Sequence, residues 1–151
     1  WPGRVPAGKV YRKMVSSMDV FPTLVSAVGL EAPKDQPVDG VDLLPFIRGE
    51  NESAPHEWLF WQSRSWLPTK VGGPGVPTPG VHSSAIRKGK WKLVRIDEKI
   101  DSTARPPAWR LYDLENDIGE REDVSARHED VVNELSTLFD TWRSSMHPSA
   151  E

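Results

Sequence analysis

Apolar residues recur along this chain first at helical spacing, then in short strand-like runs, then at helical spacing again. Phe21, Leu24, Val25 and Val28 share one face of a predicted helix. Ser16 and Ser17 can cap its start, Asp19 and Pro22 stand in its first turn, and Gly29 closes it. Asp39-Gly40 predicts a turn, and Asp42 to Ile47 predicts a short helix that Pro45 limits to little more than one turn before Gly49 stops it. Ahead of these, Trp1 to Gly8 is rich in Pro and Gly and reads as an extended connector and turn.

Strand patterning begins with the aromatic run Glu57 to Gln62. Ser83 to Arg87 and Lys90 to Ile96 predict an antiparallel pair about Lys88-Gly89, where glycine can take the positive φ of a tight hairpin. Trp109 to Leu114 predicts a further strand of the same set. The last helix has the clearest stripe, with Val131, Leu135, Leu138, Phe139, Trp142 and Met146 on one face and Glu129, Asp130, Glu134, Asp140 and Arg143 off it. It should lie across the sheet. Ser63 to His82 holds four prolines and four glycines and predicts no regular structure. A loop of that length inside a compact domain is usually functional or disordered. Asp97 to Pro107 predicts a second loop. The polar stretch from Gly49 to Pro55 marks a subdomain boundary, so residues 1–54 and 55–151 read as two parts.

Composition narrows the function classes. A chain of 151 residues can bury one core, or a small domain plus part of another, on a prior of roughly 100–200 residues per domain. A net charge of −3 argues against a broad nucleic-acid footprint. The cluster Arg87, Lys88, Lys90, Lys92 and Arg95 is basic, but alternation sends its members to both faces of a hairpin, which reads as a solvated strand edge. The absence of cysteine excludes disulfides, thiolate nucleophiles and zinc–thiolate sites. No apolar run approaches the roughly 20 residues that span a bilayer, and no charged-then-apolar leader opens the chain.

Candidate chemistry is sparse. Asp35, Asp39 and Asp42 lack the alternating ligands of a calcium loop and read as turn carboxylates. His56-Glu57 has no second histidine at helical spacing, and His82, His128 and His147 are isolated. Nothing marks one serine as activated. Trp58, Phe60, Trp61 and Trp66 suit either the faces of sugars or the core of a sheet.

Five motifs in order carry a family resemblance. Trp1-Pro2-Gly3-Arg4-Val5-Pro6-Ala7-Gly8, Val15 to Leu24, Asp39-Gly40-Val41-Asp42-Leu43-Leu44-Pro45, Ala85-Ile86-Arg87 with Gly89-Lys90-Trp91-Lys92-Leu93-Val94, and Leu111-Tyr112-Asp113-Leu114 with Asp117 and Glu120 together resemble the C-terminal portion of an arylsulfatase. Departures are slight: Ile118 stands where the family usually has proline, and Asp123 where asparagine is common.

The resemblance implies an α+β fold, with a small antiparallel sheet of about four strands packed by a long C-terminal helix. An edge fragment of an alkaline-phosphatase-like α/β domain would precede it. It further implies a parent sulfuric-ester hydrolase whose formylglycine and calcium carboxylates lie upstream, so no residue here inherits a catalytic or metal-binding role. Ser83-Ser84-Ala85-Ile86-Arg87 formally fits the serine form of the formylglycine motif, but in the family that motif lies far upstream at a helix start. The expected contribution of this chain is a wall of the substrate pocket, through Arg64, Lys70 and His82 of the Ser63 to Ser83 loop. Its partners would be the upstream catalytic domain and, through the parent, a sulfate ester. If the parent is exported, its signal lies upstream of Trp1. Two other readings stay open: part of a phosphonate or phosphate monoester hydrolase, and a stand-alone carbohydrate-binding or assembly module with tryptophans outside its core. Self-association through the helix around Phe21 to Val28 is expected of a fragment whose covering surface is missing.

Overall fold

The structure, a computed structural model, describes residues 1–65, 81–97 and 108–146. It divides into two compact units, Trp1–Glu57 and Trp58–Glu151.

The first unit is organised around a carboxylate. Ser16 N donates to Asp19 Oδ2 at 2.7 Å and Met18 N donates to Ser16 Oγ at 3.3 Å, which starts a 3-10 turn at Ser17–Asp19 that runs into α1 (Val20–Ala27). The serine signal therefore works as a reciprocal cap with Asp19. Asp19 is fully buried and also accepts from Val41 N at 3.0 Å, tying the start of α1 to the segment after the Asp39-Gly40 turn. Thr23 Oγ1 donates to the Asp19 carbonyl at 2.6 Å and accepts from Leu43 N at 2.9 Å. The chain passes so close here that a Cβ on Gly40 would lie 2.0 Å from the Met18 carbonyl oxygen. Close approach, more than turn geometry, is what requires glycine at this position.

Helix α2 (Leu44–Arg48) forms where the sequence predicts a short one, with Pro45 in its first turn and Gly49 just past its end. Asp42 Oδ1 accepts from Leu44 N at 2.9 Å and satisfies one of the free amides at its start. The apolar stripe of α1 has the predicted spacing but is largely uncovered among the described residues. Phe21, Leu24 and Val28 are 52%, 61% and 71% exposed, whereas Pro22 is buried.

The second unit is a four-stranded antiparallel sheet in the order β1 (Trp58–Ser65), β2 (Val81–Lys88), β3 (Trp91–Asp97) and β4 (Arg110–Asp113). Phe60, Ile86, Leu93 and Leu111 line up across it in register. All four face α3 (Glu129–Met146), and Val124, Leu135 and Phe139 complete the core. The Phe60 ring stacks on Trp142 at 4.8 Å and Trp109 meets Phe139 edge-on at 5.4 Å. Full burial of a Phe side chain contributes roughly 1.5–3 kcal/mol. The ion pair Lys88–Glu134, which joins β2 to α3 at 2.6 Å, is partly solvated and contributes about 0–1 kcal/mol. The apolar seam therefore holds the helix to the sheet.

Three sequence expectations need correction. The stretch from Ser63 to His82 is not irregular throughout, because Ser63, Arg64 and Ser65 pair with Ser83, His82 and Val81. The first proline after β1 is Pro68 and the last glycine before β2 is Gly80, so nothing interrupts the ladder until then. Residues 66–80 and 98–107, the rest of the two predicted loops, lie outside the described residues. The basic cluster is not a sheet edge, since β2 and β3 are the inner strands. Met146 ends the helical stripe exposed, so the buried face of α3 stops at Trp142.

The two departures from the family pattern have local accounts. Asp123 Oδ1 accepts from Leu111 N at 3.1 Å and Ser125 N at 2.9 Å, joining β4 to the turn before α3, a task an asparagine oxygen can also perform. Ile118 is 80% exposed in a turn, where the loss of a proline disturbs no packing. Among the described residues no helix is long and apolar enough to cross a membrane.

Candidate functional site

Alternation along the strands sends Trp61, Ala85, Arg87, Lys92 and Val94 to the face of the sheet away from α3. There they line a cavity of about 500 Å³ together with Leu114, Ile118 and Glu120 from the chain after β4. Trp61, Ala85 and Val94 form one cross-strand row, and Arg87 and Lys92 form the next. Arg87 Nε donates to the Gly89 carbonyl at 3.2 Å, in the hairpin turn where Gly89 takes φ +56°. Lys92 Nζ donates to Glu120 Oε1 at 2.5 Å. The rest of the basic cluster is engaged elsewhere, Lys88 with Glu134, Lys90 with Asp113, and Arg95 over the Trp109 ring. With Ser83 and Ser84 also lining it, the cavity offers an indole, four aliphatic side chains, two serines, one guanidinium and one ion pair.

Of the residues singled out from sequence, Arg64 and His82 are direct partners across β1 and β2. Their side chains, and the whole of Lys70, lie outside the described residues. Ser83 to Arg87 sits in the middle of β2 with Ser84 buried, in strand rather than at a helix start. Among the described residues no three His, Asp or Glu side chains come close enough together to hold a metal ion. The aromatic group divides: Phe60 packs against the core, while Trp58 and Trp61 are exposed, as is Trp1. Trp66 lies outside the described residues, as does His147. The His128 ring rests against Trp91 at 4.8 Å.

Sequence reasoning missed the partner of His56. Its Nε2 lies 2.8 and 2.9 Å from the two Asp19 carboxylate oxygens. Burial opposes ionisation of Asp19, but the amides of Ser16 and Val41 together with His56 outweigh it and hold the carboxyl below the usual carboxylate range. Asp19 fixes the His56 ring nitrogen, and among the described residues His56 has no hydroxyl partner. The pair is a structural bracket. No local pattern signals it, because 37 residues separate the two.

Comparison with known proteins agrees along nearly the whole chain. The family described as N-sulphoglucosamine sulphohydrolase, C-terminal, matches residues 1–144. The steryl-sulfatase of Mus musculus is 29% identical over 164 aligned residues, which take in 100% of this chain and 26% of that protein. Among solved structures, Ps i-CgsB in complex with k-i-k-neocarrahexaose superposes with a TM-score of 0.66 at 26% identity, covering 94% of this chain and 27% of the other. The phosphonate monoester hydrolase of Agrobacterium radiobacter superposes with a TM-score of 0.59 at 23% identity, covering 89% and 26%, a likeness of fold. The chain spans about a quarter of the length of these relatives. Its four-stranded sheet and closing helix, carried on a sequence matched almost end to end, make this chain a member of the N-sulphoglucosamine sulphohydrolase C-terminal family, the C-terminal domain of sulfatases.

Proposed function

We propose that the protein to which this chain belongs hydrolyses sulfuric esters, and that the chain itself completes the fold and shapes the substrate pocket without supplying a catalytic group. The match to a sulfatase C-terminal family over residues 1–144 carries this reading. Residues 1–54 are read as the edge of a large alkaline-phosphatase-like α/β domain, and residues 55–151 as the small C-terminal subdomain. The uncovered stripe of α1 supports the first assignment, since an upstream domain would supply its missing cover.

The described residues offer calcium no cluster of carboxylates and place Ser83 within a strand. The reading puts formylglycine and calcium in the upstream domain because the family resemblance implies them there, where they would supply the nucleophile and neutralise the sulfate oxygens. Arg64, Lys70 and His82 are proposed to line the substrate pocket as cationic and hydrogen-bonding donors.

An assay with a chromogenic aryl sulfate and added calcium, run on this chain and on the longer protein, tests the proposal. Turnover by the longer protein alone is expected. Turnover by the chain itself overturns the non-catalytic role and points to Ser83. Turnover of an aryl phosphonate with none of the sulfate transfers the longer protein to the phosphonate monoester hydrolases, whose fold this chain also shares. Activity on neither leaves a carbohydrate-binding or assembly module as the better account.

A further inference from the structure

We propose that Asp39-Gly40 is a site of spontaneous covalent modification, where the chain passes through a succinimide to isoaspartate and thereby releases the Asp19 bracket. It is the single Asp-Gly pair in the chain, and no Asn-Gly pair accompanies it.

The step needs no partner but water. The Gly40 backbone nitrogen attacks Cγ of the protonated Asp39 side chain and forms a C–N bond. The carboxyl C–OH bond breaks, and the hydroxyl and the amide hydrogen leave together as one water. Water then adds back to one of the two imide carbonyls. Breaking the Cγ–N bond restores aspartate. Breaking instead the bond from nitrogen to the Asp39 main-chain carbonyl carbon routes the chain through Cβ and Cγ and leaves that carbon as a free carboxylate.

Both reacting groups are ready for it. Asp39 is exposed, and among the described residues neither its carboxylate nor the Gly40 amide has a hydrogen-bond partner to give up. A side chain at position 40 would crowd the attacking nitrogen, but the fold forbids one, because a Cβ there would lie 2.0 Å from the Met18 carbonyl oxygen. The close approach that builds this corner therefore keeps the least hindered neighbour beside Asp39. Asp35 and Asp42 precede Gln36 and Leu43, whose side chains hinder the same attack, and Asp42 also accepts from the Leu44 amide at 2.9 Å.

Isoaspartate lengthens the main chain by one methylene, about 1.5 Å, two residues before Val41. Val41 N donates to Asp19 Oδ1 at 3.0 Å, and a displacement of that size carries it beyond hydrogen-bond reach. The buried Asp19 carboxylate then loses one of the donors that keep it stable. The coupling runs both ways. The bonds from Val41 to Asp19 and from Leu43 to Thr23 resist the backbone rotation that turns the Gly40 nitrogen onto Cγ, so the site reacts mainly from a locally opened state.

The test is to age the native chain in warm neutral buffer and count isoaspartate with protein isoaspartyl methyltransferase and labelled S-adenosylmethionine, placing each label by peptide fragmentation. Label should gather at Asp39 and not at Asp35 or Asp42, at least about tenfold more slowly than in urea. Thr23→Val removes the Leu43 acceptor and should raise the folded rate toward that ceiling. Asp19→Ala should raise it further, to the ceiling itself if its first unit does not fold. In the isoaspartyl form separated by chromatography, Val41 amide exchange should accelerate at least about tenfold while Ile86 and Leu93 stay protected. Asp39→Ser, which has no carboxyl to be attacked, should take no label there and keep Val41 protected. A folded chain without label at Asp39, a folded rate equal to that in urea, a rate unmoved by both variants, or unchanged Val41 exchange in the isoaspartyl form would overturn the proposal.

Discussion

The two units reach order by opposite means. The sheet and α3 bury Ile86, Leu93, Leu111, Leu135 and Phe139 essentially completely, a contiguous apolar core beside which Ser84 is the buried polar side chain among the described residues of this unit. In the first unit the fully buried side chain is a carboxylate, Asp19, and the largest apolar stripe faces outward. Apolar burial is nondirectional and tolerates small shifts, whereas a buried carboxylate is stable only while each of its donors stays in place. The second unit thus holds what it needs within itself. The first is pinned by directed bonds and keeps an unused apolar face.

Removing each keystone should separate the two modes. Phe139→Ala should cost about 3–5 kcal/mol, read as a lowered urea midpoint. A loss below about 1 kcal/mol would deny the seam its role. Asp19→Ala deprives the Ser16 and Val41 amides and His56 of their acceptor and should cost about 3 kcal/mol. Amide hydrogen exchange at Val41 should accelerate, while exchange unchanged there would show the bracket to be dispensable.

Acid should probe the same contrast more gently. Asp19 is held below the usual carboxylate range by bonds that outweigh burial. Asp113 is lowered by the Lys90 hydrogen bond, and Asp123 by amide and hydroxyl contacts of Ser125 that overcome its burial. A depressed carboxyl binds fewer protons folded than unfolded. Its stabilisation is therefore present above the unfolded value, about 4, and is lost as pH falls through the folded one. Thermal unfolding followed at the first unit should drop below about pH 4 in the native chain, and less in Asp19→Asn. Equal slopes would detach the acid response from Asp19. Smallest of all, Leu24→Ser on the open stripe should change stability by no more than about 0.5 kcal/mol. We propose that the exposed face of α1 promotes self-association, which Leu24→Ser should then reduce, as read by light scattering at high concentration. A native chain that is strictly monomeric there would contradict that role.

The features legible in the sequence were those with local signals. The β2–β3 hairpin, whose turn lies one residue later than predicted at Gly89-Lys90 because Lys88 still pairs with Trp91, the α3 stripe and the Gly49 stop each lie within a few residues of their cause. The Asp19–His56 pair and the approach of Gly40 to Met18 join distant segments and left no periodic trace. Periodicity identified the apolar side of α1 but not what covers it, because cover is a property of the partner surface. The composition of Ser63 to His82 hid the ladder at its two ends, where Arg64 meets His82. The cavity needed the register, which brings Trp61, Arg87 and Lys92 onto one face from three strands.

Amide hydrogen exchange of this chain compared with the longer protein tests most directly whether the first unit is an uncovered edge of a larger domain. The amides of α1, Val20–Ala27, should exchange slowly in the longer protein and rapidly in the chain alone, while those of Ile86, Leu93 and Leu111 should be protected in both. Equal protection of α1 in the two would show that the chain already supplies its cover, and would contradict the account.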